Sequence, residues 1–430
     1  MSFTSAPAGR SRDLWLTVVA RAVSLLGDEA AVIALTLRLH DSGRGASAIA
    51  ALFVAGMLPL VVLAPLAGRL VDRYDSRRLL VWSGLAQAVV CAALAGVHAV
   101  PAVLALVAAL GIGQAINGAT WQALLPSIVG VERLPAAMSI SQSVRTVASI
   151  AAPAIGGVLT GLYGARVPLL LDAGTFVVIT VAATLVRTRR HVGRPTAAHR
   201  RRGGFGVLRD DPVLVVLLSL LAGFIVLGAM VNVVDVFLVR DTLHSSATWY
   251  GVLAATWGGG MLLGSLVSGR WSRPDALVRV VIWSTVMLSL SMLGYAVAPA
   301  VGWILPVAVA GGAANGLLNV SVSTLTILRA AEEVRGRVSA AVNGVTSSAM
   351  ISAFFLGGVV AGFATPRQIF LASAVLGLLA PITVGRRLLR AAASARDPRA
   401  RMLGGWPART EPPSSSPADS GGSTVRATPP

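Results

Sequence analysis

The sequence predicts an all-α membrane protein with about twelve transmembrane helices in two pseudo-symmetric six-helix bundles. Of its residues, 55% are hydrophobic and 13% are charged, whereas a soluble chain carries about 25% charged residues. Apolar runs of about 20 residues, the length that crosses a bilayer, recur along the chain. Equivalent residues in the two halves are separated by a nearly constant 201 positions.

The first apolar run, Leu14–Leu37, is predicted to be a retained transmembrane span and not a cleaved signal peptide. It is long, it carries Arg21, Asp28 and Glu29, and it lacks a clear cleavage site. Each later run has roughly the length that a bilayer requires. These runs are Ala46–Ala67, Leu79–Val97, Val100–Leu125, Met138–Leu162, Val167–Val186, Val213–Val239, Trp249–Val267, Leu277–Ala298, Val301–Leu328, Val338–Phe363 and Ile369–Leu389.

The predicted chain is organised as two bundles with polar segments around them. Residues 1–13 and 391–430 are the termini, residues 14–186 and 213–390 form the bundles, and residues 187–212 link them. Arginines concentrate in alternate turns, so the positive-inside rule predicts that those turns and both termini lie in the cytoplasm. The arginine-rich linker fixes this topology or, alternatively, binds anionic lipid. The tail, rich in Pro and Ser, is predicted to be disordered.

An internal repeat indicates that the two bundles are related and share one orientation. The copy of the turn after the second span is degenerate, because Arg273 stands where the first half has Asp72, so the halves are not functionally equal. The residues that match at an offset of 201 are Gly27 with Gly228, Gly68-Arg69 with Gly269-Arg270, Gln142 with Asn343, Gly156-Gly157 with Gly357-Gly358, and Gly161 with Gly362.

The net charge of +18 comes entirely from arginine, because the chain contains no lysine. In a soluble protein such a charge would indicate nucleic acid, but here the arginines flank apolar spans. The predicted partner is therefore membrane lipid and not nucleic acid. Without lysine there can be no Walker A loop for nucleotide hydrolysis. The single cysteine, Cys91, and the scattered histidines show no metal-ligand spacing, so no metal, cofactor or catalytic residue is predicted and the chain is expected not to be an enzyme.

A short charged turn between the second and third spans combines acidic and basic residues. A topology signal requires only positive charge, so this alternation predicts a specific contact, with Gly68 permitting a close helix approach. The charged residues of the turn are Arg69, Asp72, Arg73, Asp75, Arg77 and Arg78.

This turn resembles the signature loop between helices two and three of the major facilitator superfamily of secondary transporters. The matching residues are Gly68, Leu70, Asp72, Arg73 and Arg77, and the departures are Val71, Asp75 and Ser76. The resemblance implies the major facilitator fold, with Asp72 near the start of the eleventh helix at Val338–Ala341. It also implies a cytoplasmic gating motif, formed by Gly68, Asp72, Arg73, Arg77 and Arg78.

The fifth span contains Ala152-Pro153-Ala154-Ile155-Gly156-Gly157, which resembles the antiporter signature of the same superfamily. Ala152 replaces the first glycine of that signature. Pro153 removes a helix hydrogen bond, and Gly156 and Gly157 permit close helix packing. The resemblance implies export, and the alternative is an ordinary proline-kinked, glycine-packed helix.

Ionisable residues inside a membrane are costly, so those of the first span are candidates for proton coupling. Arg21 and Asp28 lie on one helical stripe, and Asp28 is about 20 Å along the helix from Leu14. Glu29 is rotated by about 100° from Asp28. Arg145 of the fifth span is the predicted intramembrane partner. Either Asp28 or Glu29 binds and releases a proton as access alternates, or the acid forms a static ion pair with an arginine of a neighbouring helix. The sequence leaves both alternatives open.

Neutral polar residues are predicted to line a central cavity between the bundles. Such a lining suits an amphiphilic organic solute, although each residue could equally serve in interhelical hydrogen bonding. The candidates are Gln114, Asn117, Trp121, Gln142, Asn315, Asn319 and Asn343. Asp235, near the end of the seventh span, is interpreted as an interfacial residue.

The stretch Ser24-Leu25-Leu26-Gly27-Asp28, together with the Asp72 turn, resembles the macrolide-efflux and enterobactin-exporter branch of this superfamily. The resemblance implies a monomeric transporter of the cytoplasmic membrane that exports a small amphiphilic molecule in exchange for protons by alternating access. An uptake symporter is the first alternative, and the polarity of flux would discriminate the two. A non-transporting membrane scaffold or sensor is the second alternative, although such a chain would need no carboxylates near the midplane.

Overall fold

The computed structural model of the chain describes residues 8–129, 134–185, 212–271, 273–329 and 335–379. Within these residues the regular structure is helical and no strand is present. We number the helical spans one to twelve in chain order. They are Ala8–Asp41, Ala46–Val62 continued by Ala64–Arg73, Ser76–Leu94, Val100–Val129, Leu134–Tyr163, Arg166–Leu185, Pro212–Phe237, Ala247–Ser268, Pro274–Val297, Val301–Arg329, Arg335–Val360 and Pro366–Leu379.

Most of these helices meet the requirements for crossing a bilayer. Eight are long and apolar enough singly, and the second span adds a ninth although it bends by 49°. Of the other described helices, the first carries Arg21, Asp28 and Glu29, the fifth is apolar over Ala151–Tyr163, and the twelfth is described only to Leu379. The prediction of an all-α protein with about twelve membrane helices is confirmed.

The predicted boundaries agree less well than the predicted elements. The first span begins at Ala8 and ends at Asp41, beyond both predicted limits. The predicted linker, apart from its last residue, and the predicted tail at 391–430 lie outside the described residues.

Large apolar side chains cover the outside of the helical bundle. Phe363 is 89% exposed, and Trp82 and Trp283 are 73% and 71% exposed. Soluble proteins rarely expose apolar surface on this scale, so lipid is the expected neighbour. Inside the bundle, Phe176 and Phe370 are fully buried between the helices.

The two halves meet through close contacts between small residues. A Cβ atom added to Gly157 in the fifth span would lie 2.5 Å from the Cα atom of Gly251 in the eighth. Likewise, a Cβ atom added to Gly358 in the eleventh span would lie 2.5 Å from the Cβ atom of Ala50 in the second. The offset of 201 converts one pair into the other, since Gly157 becomes Gly358 and Gly251 becomes Ala50. The internal repeat is therefore present as a pseudo-two-fold axis between the halves.

The two ends of the bundle differ in charge and in contacts. The arginine-rich end carries the connections around residues 74–75 and 269–271, and the opposite end carries those at residues 42–45 and 243–246. The glycine contacts lie toward the opposite end. There, Phe53 of the second span also stacks on Phe354 of the eleventh, with ring centroids 4.7 Å apart.

An ionic cluster joins the first and seventh spans at the opposite end. The Nε2 atom of His40 lies 2.8 Å from the Oδ1 atom of Asp241. The Nη2 atom of Arg240 lies 2.9 Å from the Oδ1 atom of Asp41. Together with the glycine and phenylalanine contacts, this cluster holds the halves together at the opposite end.

Gly157→Leu is expected to separate the fifth and eighth spans, because no side chain fits against the backbone of Gly251. Overpacking of this kind costs about 1–3 kcal/mol, and about 1.4 kcal/mol changes a two-state ratio tenfold. Spin labels on cysteines replacing Tyr163 and Trp249, with Cys91 changed to serine, would report the separation. The distance distribution should shift to longer values.

Gly174→Leu in the sixth span is the matched control, because a Cβ atom there meets no described atom within 4 Å. Both substitutions add the same side chain to a helix. An unchanged distribution in Gly157→Leu, or an equal change in both variants, would show that the glycine contact does not hold the halves together.

Candidate functional site

A cavity with a volume of about 480 Å³ lies between the two halves. The first half contributes Glu29, Phe53 and Pro153, among others, and the second half contributes most of the remaining lining. The lining is mainly apolar and rich in aromatic and methionine side chains, a composition typical of sites for organic molecules. These residues include Phe224, Tyr250, Trp257, Met261, Met292, Tyr295, Met350 and Phe370.

The charged residues in the described lining, Glu29 and Asp235, are both acidic. The Oδ1 atom of Asp235 is buried and has no hydrogen-bond partner among the described groups. Tyr250 and Tyr295 lie within electrostatic range of this carboxylate. Asp235, interpreted from the sequence as an interfacial residue, lines the cavity. A π-helical turn, Leu238–Thr242, extends the seventh span, so Asp235 lies about 10 Å from its end.

A buried acid cluster lies beside the cavity, inside the first half. Asp172 of the sixth span is 1% exposed. Its carboxylate accepts hydrogen bonds from the Cys91 thiol (Sγ to Oδ2, 3.1 Å) and from the Thr175 hydroxyl (Oγ1 to Oδ1, 3.1 Å). Asp28 is near enough for the two carboxylates to repel, and the Gln114 side chain hydrogen-bonds to Asp28. The cluster therefore joins the first, third, fourth and sixth spans.

Gly27 explains how Asp172 approaches the first span so closely. A Cβ atom on Gly27 would collide with the Asp172 carboxylate and would lie 2.8 Å from the Oγ1 atom of Thr175. Asp172 is absent from the residues predicted above. The signal that would have identified Asp172 is its position as a lone acid within the apolar run Val167–Val186, because an acid inside a membrane is costly.

The other predicted coupling residues have different surroundings. Arg21 attracts the Asp28 carboxylate from the same helix, whereas Glu29 lines the cavity. The first span thus presents adjacent acids to two different environments, since neighbouring helical residues differ by about 100°. The side chain of Arg145 lies outside the described part of the structure, so its pairing with these acids stays a prediction.

The fourth span turns its polar residues toward other helices. The Asn117 amide donates to Gln87 Oε1, and its oxygen accepts a hydrogen bond from the Ser83 hydroxyl, both in the third span. Trp121 is 4% exposed in the core. Neither Asn117 nor Trp121, nor Gln114, belongs to the described lining of the cavity. Asn117 therefore takes part in hydrogen bonding between helices and does not line the cavity, because its side of the helix faces the third span.

The tenth span does contribute amides to the cavity. Asn315 and Asn319 both line it, and the Nδ2 atom of Asn319 donates to the backbone oxygen of Asn315 at 2.9 Å. Asn343 is exposed but is not part of the described lining. The side chain of Gln142 lies outside the described part of the structure.

The charged turn is tied to its own half. Asp75 caps the third span, with its Oδ1 atom accepting a hydrogen bond from the Arg78 N–H at 3.1 Å. The Arg77 guanidinium donates to the carbonyl oxygen of Thr184 in the sixth span. The close helix approach expected at Gly68 is not observed, since no described atom lies within 4 Å of an added Cβ atom.

Asp72 and Arg73 lie at the end of the second span, on the arginine-rich end. The eleventh span begins at Arg335, but its described side chains begin at Ala341. The contact expected between Asp72 and the start of that helix therefore stays a prediction.

The antiporter-like residues divide among three contacts. Pro153 lines the cavity. Gly156 packs within the first half, where an added Cβ atom would lie 2.8 Å from the Cα atom of Ala30. Gly157 faces the eighth span of the other half. One short stretch of the fifth span therefore contacts the cavity, the first span and the second half.

Two pseudo-symmetric helical halves around a solute-sized cavity are the architecture of a membrane transporter. The profile of the Major Facilitator Superfamily matches residues 17–274 and 233–420. The chain therefore belongs to the Major Facilitator Superfamily of transporters.

Sequence relatives are distant, and the structural likeness is broad. The chain is 22% identical to macrolide efflux protein A of Streptococcus pyogenes over 282 residues. This alignment covers 63% of this chain and 70% of that protein. It is 24% identical over 378 residues to the uncharacterized MFS-type transporter YfiS of Bacillus subtilis (strain 168), covering 83% and 88%. The crystal structure of nucleoside transporter NupG matches with a TM-score of 0.72 at 12% identity, over 87% of this chain and 98% of that chain. This last likeness concerns the fold alone.

A cysteine replacing Asn319 is expected to react with a membrane-impermeant thiol reagent from the arginine-rich end, because Asn319 is exposed in the cavity. A cysteine replacing Phe53, at the stacked contact near the opposite end, should react about tenfold more slowly. Labelling rates in vesicles of both orientations, with Cys91 changed to serine, would measure this. Faster labelling of either cysteine from the opposite end would contradict the closure of that end.

Proposed function

We propose that the chain is a proton-coupled exporter of small amphiphilic organic molecules that works by alternating access in the cytoplasmic membrane. The observation that carries the proposal is the largely apolar cavity between the halves, with the buried acid cluster beside it. Asp28 of the cluster and Glu29 of the cavity are consecutive residues. A proton site and a solute site therefore share one turn of the first span.

The conformation supports a carrier that is open to the cytoplasm. The halves are joined at the opposite end through contacts such as His40 with Asp241 and Gly157 with Gly251. The arginine-rich end is the cytoplasmic one by the positive-inside rule. At that end the helix Ala64–Arg73 makes no extensive contact with the described helices of the second half. A cytoplasmic solute can enter the cavity in this state, and export requires the contacts at the opposite end to break.

Proton exchange at the buried acid cluster offers a coupling mechanism. The carboxylates of Asp28 and Asp172 repel each other when both are ionised, and one proton removes that repulsion. Protonation therefore changes the interaction between the first and sixth spans. Glu29, the neighbour of Asp28, carries that change to the cavity. The alternative is a static ion pair between Asp28 and Arg145, in which the carboxylate keeps its charge throughout the cycle.

Two independent resemblances support export. A relative that covers 63% of this chain is named macrolide efflux protein A. Pro153, Gly156 and Gly157 resemble the antiporter signature. An uptake symporter would share the fold and the acids, so the direction of flux in oriented vesicles decides between the two. A functional monomer is proposed because one chain forms the whole cavity.

Asp28→Asn is expected to abolish transport driven by a pH gradient in proteoliposomes, because an amide cannot carry a proton. The solute would be chosen from a macrolide-containing panel by the susceptibility of a strain that lacks the chain. Asp275→Asn, which removes a carboxylate at the arginine-rich end, is the control and should transport normally. Full coupled flux in Asp28→Asn would remove this residue as the carrier and make Glu29→Gln the next variant to measure. Loss of coupling there would place the carrier in the cavity itself.

Asp72→Asn is expected to favour the state that is open at the arginine-rich end. An anion at a helix N-terminus contributes about 0.3–1 kcal/mol when exposed and up to about 2 kcal/mol when partly buried. Removing it from the state closed at that end should raise the labelling rate of a cysteine at Asn319, up to about tenfold.

Asp75→Asn is the control for this turn, because Asp75 caps its own helix and asparagine caps equally well. It should leave the labelling rate unchanged. Identical rates in the Asp72 variant and the parent would reduce the turn to a topology signal.

A further inference from the structure

Asp235 is the acidic cavity residue that the proposed proton pathway does not use. It lies in the seventh span of the second half, whereas the buried acid cluster lies in the first half. Its Oδ1 atom is buried, and no described group donates a hydrogen bond to it. An ionisable group is costly to place inside a membrane and costlier still when it lacks a partner. Because Asp235 also lines the cavity, this carboxylate without a described partner indicates a site for a ligand.

The surroundings of Asp235 favour a positively charged, apolar ligand. Tyr250 and Tyr295 lie within electrostatic range of the carboxylate, and Trp257 lines the same cavity. Aromatic faces attract organic cations through their ring quadrupoles. None of the described lining residues is Lys, Arg or His, although the chain as a whole carries a net charge of +18. The described lining is therefore acidic within a strongly cationic protein.

An inorganic cation fits these surroundings less well. Hard divalent cations take about six to eight oxygen ligands, and the described residues contain no group of three or more His, Cys, Asp or Glu side chains. The volume of about 480 Å³ lies within the range of pockets for organic molecules, about 300–1,000 Å³. The aromatic and methionine lining suits aryl or alkyl groups around a charged centre.

We propose that Asp235 is the counter-ion for an amphiphilic organic cation, a molecule with one positive centre surrounded by aryl or alkyl groups. This inference rests on the proposed function only in taking the cavity as the solute site, and it narrows the solute class to cations. It also assigns different tasks to the two halves. The solute charge is bound at Asp235 in the second half, and the proton is held at Asp28 in the first.

Equilibrium binding of tetraphenylphosphonium and tetraphenylborate to the purified full-length chain tests this inference without any gradient. The two ions carry the same phenyl groups and opposite charges, so a difference in affinity reports recognition of charge. The phosphonium is expected to bind about tenfold or more tightly than the borate. Asp235→Asn should lower phosphonium affinity by a similar factor and remove the preference. Asp235→Glu keeps the charge and should retain the preference.

Asp275→Asn is again the matched control, because Asp275 pairs with Arg273 and Arg279 outside the described cavity lining. It removes the same charge from the chain and should leave both affinities unchanged. Gel filtration and circular dichroism establish that each variant is folded. If Asp235→Asn does not fold, Asp235→Ser takes its place in the same comparison.

Equal binding of the two ions, or a preference that survives Asp235→Asn, would overturn the assignment. Loss of the preference in Glu29→Gln alone would also overturn it and move the counter-ion to Glu29. Lost proton-coupled flux in Asp235→Asn with unchanged phosphonium binding would make Asp235 a proton carrier instead. A charge preference that depends on Asp235, in a chain without coupled flux, would uphold the cation site and count against proton-coupled export.

Discussion

The close contact between Gly157 and Gly251 is the constraint on which the rest of the architecture depends. Lipid gives helices no hydrophobic reason to associate, so van der Waals contact between small residues must hold the halves together. Once they are joined near the opposite end, the cavity is enclosed between them. A contact of this kind is also reversible, because about 1.4 kcal/mol is enough to change a two-state ratio tenfold. In the proposed cycle, these glycine contacts are the ones that would separate when the cavity opens at the opposite end.

The pseudo-two-fold axis relates several of the contacts at the opposite end to one another. The pair Gly157 and Gly251 has a symmetry mate in Gly358 and Ala50. His40 and Asp241 are separated by 201 residues, so the axis relates them to each other and their hydrogen bond lies on it. The glycine contact is thus made twice and the His40–Asp241 contact lies on the axis, whereas the pair of Arg240 with Asp41 has no symmetry mate. Neither half can withdraw from one contact without disturbing the equivalent contact of the other.

The sequence predicted the features that depend on the length of apolar runs and on the internal repeat. It predicted less well the features that depend on how each helix is rotated about its axis. Apolar length and the offset of 201 follow from bilayer thickness and duplication, so they specify the fold. Asn117 lies on a polar stripe, but a stripe does not say which neighbour it faces. Asp235 lies near the end of its predicted span, and the sequence does not show that the residue lines the cavity. The contact expected at Gly68 is not observed among the described residues, and a glycine in the sequence does not show which helix, if any, approaches it.

The arginine-rich end lacks the regularity of the opposite end. At the position equivalent to Asp72 the second half has Arg273, whose Nε atom lies 3.7 Å from Asp275 within its own turn. The second copy of the turn therefore places an arginine, with an acidic partner in its own turn, where the first copy has a carboxylate. In the proposed cycle, closure at the arginine-rich end would draw on the Asp72 turn of the first half, whereas the contacts at the opposite end come from both halves. If the carrier alternates as proposed, different residues set the free energies of its two closed states. The same division extends inward, where the first half holds the paired carboxylates of Asp28 and Asp172 and the second half holds Asp235 by itself.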